Sequence, residues 1–178
     1  IGANGAGKST TVKMLTGILE PSSGRIEVDG RNPHKNRKKN AMNIGVVFGQ
    51  KTQLWWDLPV KESFKLLKEI YEVSDEAYDK RIEEFDEVLQ LSDFWDQPVR
   101  KLSLGQKMRC ELAAAFLHHP KIVYLDEPTI GLDVAVKERI RDFIRKMNEE
   151  KNITVMLTTH DIDDIEDVGT RFLQHATD

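Results

Sequence analysis

The stretch IGANGAGKST opens the chain, and Gly2 to Ser9 match the pattern Gly-x-x-x-x-Gly-Lys-Ser. Nothing else in the sequence constrains the fold so tightly. A loop of this kind points several backbone N–H groups at one anion, and its glycines let the chain curl far enough to do so. It works where it joins the end of a buried strand to the start of a helix. Lys8 adds a cation for the outer phosphates, and the Ser9 hydroxyl suits magnesium. With glycine at about 7% of residues, a chance match in a chain of this size has a probability of roughly 1%. The residues that follow support the helix: Val12, Leu15 and Leu19 recur at i, i+3 and i+7. A single residue, Ile1, stands before the loop, so the strand that should hold it is expected upstream of this sequence.

Beyond the loop, "RIEVDG" alternates and predicts a half-buried strand. "NIGVVFG", "KIVYLDEP" and "NITVMLTTH" contain short apolar runs that predict buried strands. Val60, Phe64, Leu67 and Tyr71 hold helical spacing, as do Ile82, Phe85 and Leu89, and then Val136, Ile140, Phe143 and Met147. Strands alternating with helices imply βαβ units and an α/β fold with a mostly parallel sheet. The helix-rich middle, about 53–118, reads as a subdomain inserted into one domain that occupies 1–178. A length of 178 residues suits one domain with a sizeable core. The net charge of −4 excludes a polyanion binder acting by bulk electrostatics. One cysteine, Cys110, excludes an internal disulfide and reads as a small core residue. No apolar run approaches the roughly 18 residues that span a bilayer. A cytoplasmic protein that meets a membrane only through a partner is expected.

A magnesium nucleotide site needs a second acidic anchor, and the strand "IVYLDE" ends in one. Asp126 is placed to meet the metal's water shell. Glu127 stands where a base could polarise an attacking water. Taken alone, a strand ending in Asp-Glu is more often a solvated strand end; beside a phosphate loop the functional reading prevails. Gln50 follows "NIGVVFG" and His160 follows "ITVMLTT". Each alone reads as a satisfied loop residue. In a parallel sheet, however, ligands bind at the carboxyl ends of the strands, and all these groups share that edge. Ser103 precedes the helix carrying Met108, Leu112 and Phe116, where it can act as an N-cap.

In this order, "GANGAGKST", Gln50, "LSLGQ" at Leu102–Gln106, "IVYLDEP", "GLD" at Gly131–Asp133 and His160 resemble the motifs of ATP-binding cassette (ABC) ATPases. The likeness runs from Gly2 to about Val168. It implies a P-loop NTPase core that binds ATP with Mg2+ and hydrolyses it. Two such domains, in a likeness to homodimers, would pair head to tail around two ATP molecules. Gly2, Ala3, Asn4, Gly5, Ala6, Gly7, Lys8, Ser9 and Thr10 would then hold phosphates, with Ser103, Gly105, Gln106 and Asp133 completing the partner's site. Ser9, Gln50 and Asp126 would hold the metal, and Glu127, His160 and Gln50 would serve catalysis. Leu104 stands where the usual signature has glycine. If that position required φ > 0, leucine would cost about 1–3 kcal/mol. The N-terminal strands of the family, with their adenine-stacking aromatic, are missing, and "VGTRFLQHATD" departs from its usual C-terminal pattern.

The segments "LWWDLP" and "LSLGQKMR" are most similar to drug and antibiotic exporters. They imply a permease partner whose coupling helix docks near Leu54–Pro59 on the inner face of the membrane, and no nucleic acid. Trp55 and Trp56 divide evenly between core and interface. The alternatives are a soluble ABC ATPase acting on nucleic acid or ribosomes, and a truncated partner-binding domain without turnover. The basic run "RNPHKNRKKN" is expected to be a solvated loop. His118 and His119, ending a helix before Pro120, are expected as cations that suit its dipole.

Overall fold

The computed structural model describes residues 5, 7–49, 51–160 and 162–168. Among them, the elements run α1 (Lys8–Leu15), α2 (Arg37–Asn43), β1 (Ile44–Phe48), α3 (Val60–Ile70), α4 (Asp75–Leu89), α5 (Leu104–Phe116), β2 (Ile122–Asp126), α6 (Val134–Glu149), β3 (Thr154–Thr158) and α7 (Ile162–Val168). The three strands form one parallel sheet in the order β1-β2-β3. The fold is the α/β class that the alternation predicts.

Both faces of this sheet are covered, which is why its strands read as continuous apolar runs. Side chains alternate along a strand, so odd and even positions face opposite ways. Val47, Val123, Leu125, Val155 and Leu157 join the larger core with α5 and α6. Ile44, Val46, Phe48, Ile122, Tyr124 and Met156 join a smaller cluster around Val12 of α1. In the larger core Phe143 meets Phe85 and Phe116 edge to face, each at 5.3 Å between ring centres. Helix α5 comes down so closely on β1 that a Cβ added at Gly45 would lie 2.1 Å from the Ala115 carbonyl oxygen. Only glycine allows that approach.

Helix α4 is tied to the rest by its C-terminal end. Arg109 of α5 donates to the Leu89 carbonyl at 2.9 Å, and Arg139 of α6 donates to the Val88 carbonyl at 3.0 Å. These cations satisfy carbonyls that the helix leaves without intrahelical donors.

Four expectations need correction. "RIEVDG" forms no strand; only a single bridge joins Val28 and Arg31, because no neighbouring strand among the described residues pairs with it. Helix α1 ends at Leu15, and Leu19 is exposed, since Gly17 turns the chain at φ 77°. The basic run is not all loop: Arg37–Asn43 is helical, and buried Asn40 donates to the Leu15 carbonyl at 3.4 Å. His118 is not a cation at a helix end. Its ring stacks on Tyr71 at 3.8 Å, and Nε2 lies 2.8 Å from the Ile44 carbonyl, so it donates there. Burial pushes its pKa down to about 4. The cysteine does sit in the core, fully buried, and burial raises its thiol pKa.

Candidate functional site

Strand register brings the polar groups together. Asp126 and Thr158 are paired residues at the carboxyl ends of β2 and β3. Their parity places both on the α1 side of the sheet. The Thr158 hydroxyl donates to Asp126 Oδ1 at 2.6 Å and accepts from the Glu127 N–H at 3.2 Å. The same N–H reaches the Thr158 carbonyl at 3.0 Å. Asp126 and Thr158 are both buried. One threonine thus orients the aspartate and anchors the backbone of the glutamate beside it.

Glu127 leaves the strand with φ 54°, a left-handed conformation that costs a non-glycine residue about 1–3 kcal/mol. The turn carries its carboxylate to Lys8 and His160. Lys8 Nζ lies 3.8 Å from Glu127 Oε1, and His160 Nδ1 lies 2.9 Å from Oε2. Lys8 is 9% exposed at the first position of α1, immediately after Gly7 at φ 88°. A cation there is unusual, because burial penalises the charged form unless an anion offsets it. Gly5 and Gly7 both have positive φ, and a Cβ at either would meet nothing within 4 Å. Their positive φ favours glycine. Ser9, in the first turn of α1, is exposed.

Lys8, Asp126, Glu127 and His160 therefore meet at one edge. Gln50, together with Gly2, Ala3, Asn4 and Ala6, lies outside the described residues. Its neighbour Gly49 donates to the Asp126 carbonyl at 3.0 Å. Beyond Gln50, the segment continues to Thr52 and Gln53, which bond buried Glu111 of α5. The Thr52 hydroxyl and the Gln53 N–H (3.3 Å) both donate to its carboxylate. Desolvation pushes the Glu111 pKa up.

The Ser103–Gln106 segment does not join this cluster. Ser103 caps α5, accepting from the Gln106 N–H at 3.2 Å, while Gln106 Oε1 accepts from the Ser103 N–H at 2.9 Å. Leu104 opens the helix in helical conformation. Left-handed non-glycine residues among those described are Asp29, Glu72, Gln90, His119, Glu127 and Asn152, so leucine carries no such strain here. A Cβ at Gly105 would touch Val136 at 3.3 Å, so this end of α5 packs on the start of α6. Asp133 caps α6 by accepting from the Val136 N–H at 3.0 Å. Trp55 and Trp56 are exposed at 39% and 50%, which decides against the core. Lys107 Nζ lies over the Trp56 ring at 4.3 Å.

Sequence reasoning missed Thr158, Glu111, Thr129, Arg141 and Asp164. A polar pair, Thr158–Thr159, closing an apolar strand was the one available signal. The others are legible only once the strands are paired.

A glycine-turned loop, a buried lysine and a strand-end Asp-Glu pair define the class of P-loop nucleotide-binding α/β domains. The family model described as ABC transporter matches residues 1–130. The ABC transporter ATP-binding protein NatA of Bacillus subtilis (strain 168) is 32% identical, over 93% of this chain and 67% of its own length. The bacitracin transport ATP-binding protein BcrA of Bacillus licheniformis is 36% identical, over 93% of this chain and 53% of its own. A dimeric structure of a post-hydrolysis state of an ATP-binding cassette, bound to ADP and Pi, superposes with a TM-score of 0.78. It is 31% identical, over 92% of this chain and 74% of that one. The chain belongs to the ABC transporter family. It spans between about half and two thirds of the length of these two curated relatives. Among the described residues no helix is long and apolar enough to cross a membrane.

Proposed function

We propose that this chain is the ATP-binding and hydrolysing part of an ABC exporter subunit, and that Glu127 is its general base. The observation that carries the reading is the cluster of Lys8, Glu127 and His160 beside the Thr158-anchored Asp126. Glu127 would accept the proton of the attacking water as that water forms its bond to the γ-phosphorus, while the bond from the γ-phosphorus to the β–γ bridging oxygen breaks and ADP leaves with that oxygen. Lys8 would lend its charge to the phosphate oxygens. His160 Nδ1 carries a hydrogen toward a carboxylate, which can only accept. Its Nε2 would donate to a γ-phosphate oxygen only as the doubly protonated ring. The donors fit a magnesium ion, which prefers hard oxygen ligands: the Asp126 carboxylate, the Ser9 hydroxyl and the Gln50 side-chain oxygen would hold it. When bound, the metal supplies positive charge against the phosphates.

The remaining roles follow from the family likeness. Gly2 to Thr10 would cradle phosphate. Ser103, Gly105, Gln106 and Asp133 would complete the site of a second copy, in a head-to-tail homodimer around two Mg-ATP. The exposure of Ser103 at the start of α5 supports this, since a helix N-terminus open to solvent there suits an anion brought from outside. The exposed tryptophans support a permease coupling helix docking at Leu54–Pro59 on the cytoplasmic face, because aromatics anchor interfaces. The single domain would carry residues of about 53–118 as its helical subdomain.

The test uses the full-length protein. Glu127→Gln should retain ATP binding and accumulate an ATP-dependent dimer on size exclusion. Turnover at the wild-type rate in that variant would refute the base assignment.

A further inference from the structure

We propose that Asp164 is a positioning residue for hydrolysis, holding the Glu127 and His160 loops together through Thr129 and Thr159. The proposal rests on the reading of Glu127 and His160 given above. Asp164 lies on α7 and is 1% exposed. Its Oδ2 accepts from the Thr129 hydroxyl at 2.5 Å and from the Thr159 hydroxyl at 2.9 Å. Its Oδ1 accepts from Arg141 Nε at 2.8 Å. Thr129 stands two residues after Glu127, and Thr159 immediately precedes His160. Both threonines and Arg141 are themselves buried.

The β2–β3 ladder aligns the two loops only as far as Asp126 and Thr158. Glu127 then turns off in left-handed conformation, and His160 lies two residues past the last pair. Nevertheless their side chains meet at 2.9 Å. A single carboxylate oxygen, reached by one hydroxyl from each loop, continues the tie beyond the ladder. Arg141 holds that carboxylate to α6, so the tie has a fixed base. A carboxylate buried this far is retained only when its oxygens are compensated, and charge-assisted bonds fix geometry more stiffly than neutral ones. The competing account is an ion pair that merely packs α7 on α6. It involves Asp164 and Arg141 but needs neither hydroxyl.

The experiment exploits that difference in full-length protein, with ATP affinity and single-turnover hydrolysis measured side by side. Thr129→Val leaves the Asp164–Arg141 pair in place. It should lower the hydrolysis rate about tenfold, as expected for losing a bond to a charged group, with ATP affinity within about twofold. Thr129→Ser restores the hydroxyl and should recover the rate. In a Glu127→Gln background, Thr129→Val should cost markedly less, because one of the two groups being positioned is gone. Thr159→Val should repeat the pattern, guarding against a fold defect peculiar to one site. A wild-type rate in both valine variants, or the same loss with and without Glu127, overturns the positioning role alone. Absence of ATP turnover in the wild-type protein overturns the functional reading, and the proposal with it.

Discussion

The two edges of the sheet each hold a histidine, and the two are put to opposite use. At the carboxyl edge His160 is about half exposed and lies 2.9 Å from a carboxylate. At the amino edge His118 lies flat against Tyr71, donates to a strand carbonyl and is held neutral by burial. Both follow apolar runs, in "AAAFLHH" and "ITVMLTTH". The difference lies in what the strand direction brings to them. Carboxyl ends deliver side chains that have just left the ladder and face a helix start, a natural place for anions. The amino edge delivers backbone carbonyls and the C-terminal end of α5. The proposed ligand site therefore lies at one edge, and the other edge is packed.

Exchanging the histidines for alanine, one at a time, should separate the two edges most sharply. His160→Ala should cut ATP turnover by about 10²-fold or more, the usual worth of a group that stabilises charge at a reacting centre. Its melting temperature should move little, since the ring is substantially exposed. His118→Ala should instead destabilise the fold by about 2 kcal/mol, through a lost ring contact and an unsatisfied carbonyl. Turnover per folded molecule should then stay as it was. Equal effects of the two substitutions on turnover would erase the contrast between the edges.

Next in size is Lys8→Ala. A charge-assisted contact to phosphate contributes about 1.5–3 kcal/mol, so ATP affinity should fall about ten- to a hundredfold in calorimetric titration. Unchanged affinity would remove Lys8 from the site and leave its ion pair with Glu127 as mere compensation for burial.

How far these edges could be read from the sequence depended on the range of the contacts. The start of α1 after Gly7 and the runs "IGVVF", "IVYLD" and "TVMLT" were legible because each is a local pattern. A short apolar run bounded by turn or polar residues fits a strand covered on both faces. "RIEVDG" carried an equally good local pattern and failed, because a strand needs a partner and, among the described residues, Val28 bridges only Arg31. Ser103 was legible as a cap, since capping spans three residues. Thr158 was not, because its value to Asp126 comes from β2–β3 register. Asp164 was not, because Thr129 and Arg141 reach it from distant segments. His118 was misread for the same reason: its partners, Tyr71 and Ile44, lie far off in sequence.

A titration sharpens the amino edge further. The His118 pKa is about 4 in the folded chain, against about 6.5 in an unfolded one. Between these values the unfolded chain binds the extra proton and the folded chain does not. The stability that neutral His118 contributes is thus present above about pH 6.5 and lost as pH falls toward 4. Discounted for its partial exposure, the loss is on the order of 2 kcal/mol. His118→Phe keeps a ring against Tyr71 without the titrating nitrogen. The wild-type stability minus that of the variant, from urea melts, should therefore fall between pH 6.5 and 4. A flat difference would mean that His118 charges freely and is not part of the packed edge.

The smallest effect probes the exposed start of α5, where the carboxyl side of the molecule offers groups that its own cluster does not use. Ser103 caps the helix by a reciprocal pair of bonds with Gln106. Removing such a cap costs about 1 kcal/mol. Ser103→Ala should lower stability by that amount and leave ATP affinity of the monomer unchanged, because no contact runs from Ser103 to the Lys8–Glu127 group. If Ser103 also meets phosphate in a second copy, turnover in the full-length dimer should fall by more than the change in folded fraction explains. Ser103→Asp separates the two roles. Aspartate caps a helix as well as serine does and favours its positive end, so stability should return. A negative charge facing phosphate should nevertheless hold turnover down. Recovery of both stability and turnover in Ser103→Asp would reduce the start of α5 to a helix cap and nothing more.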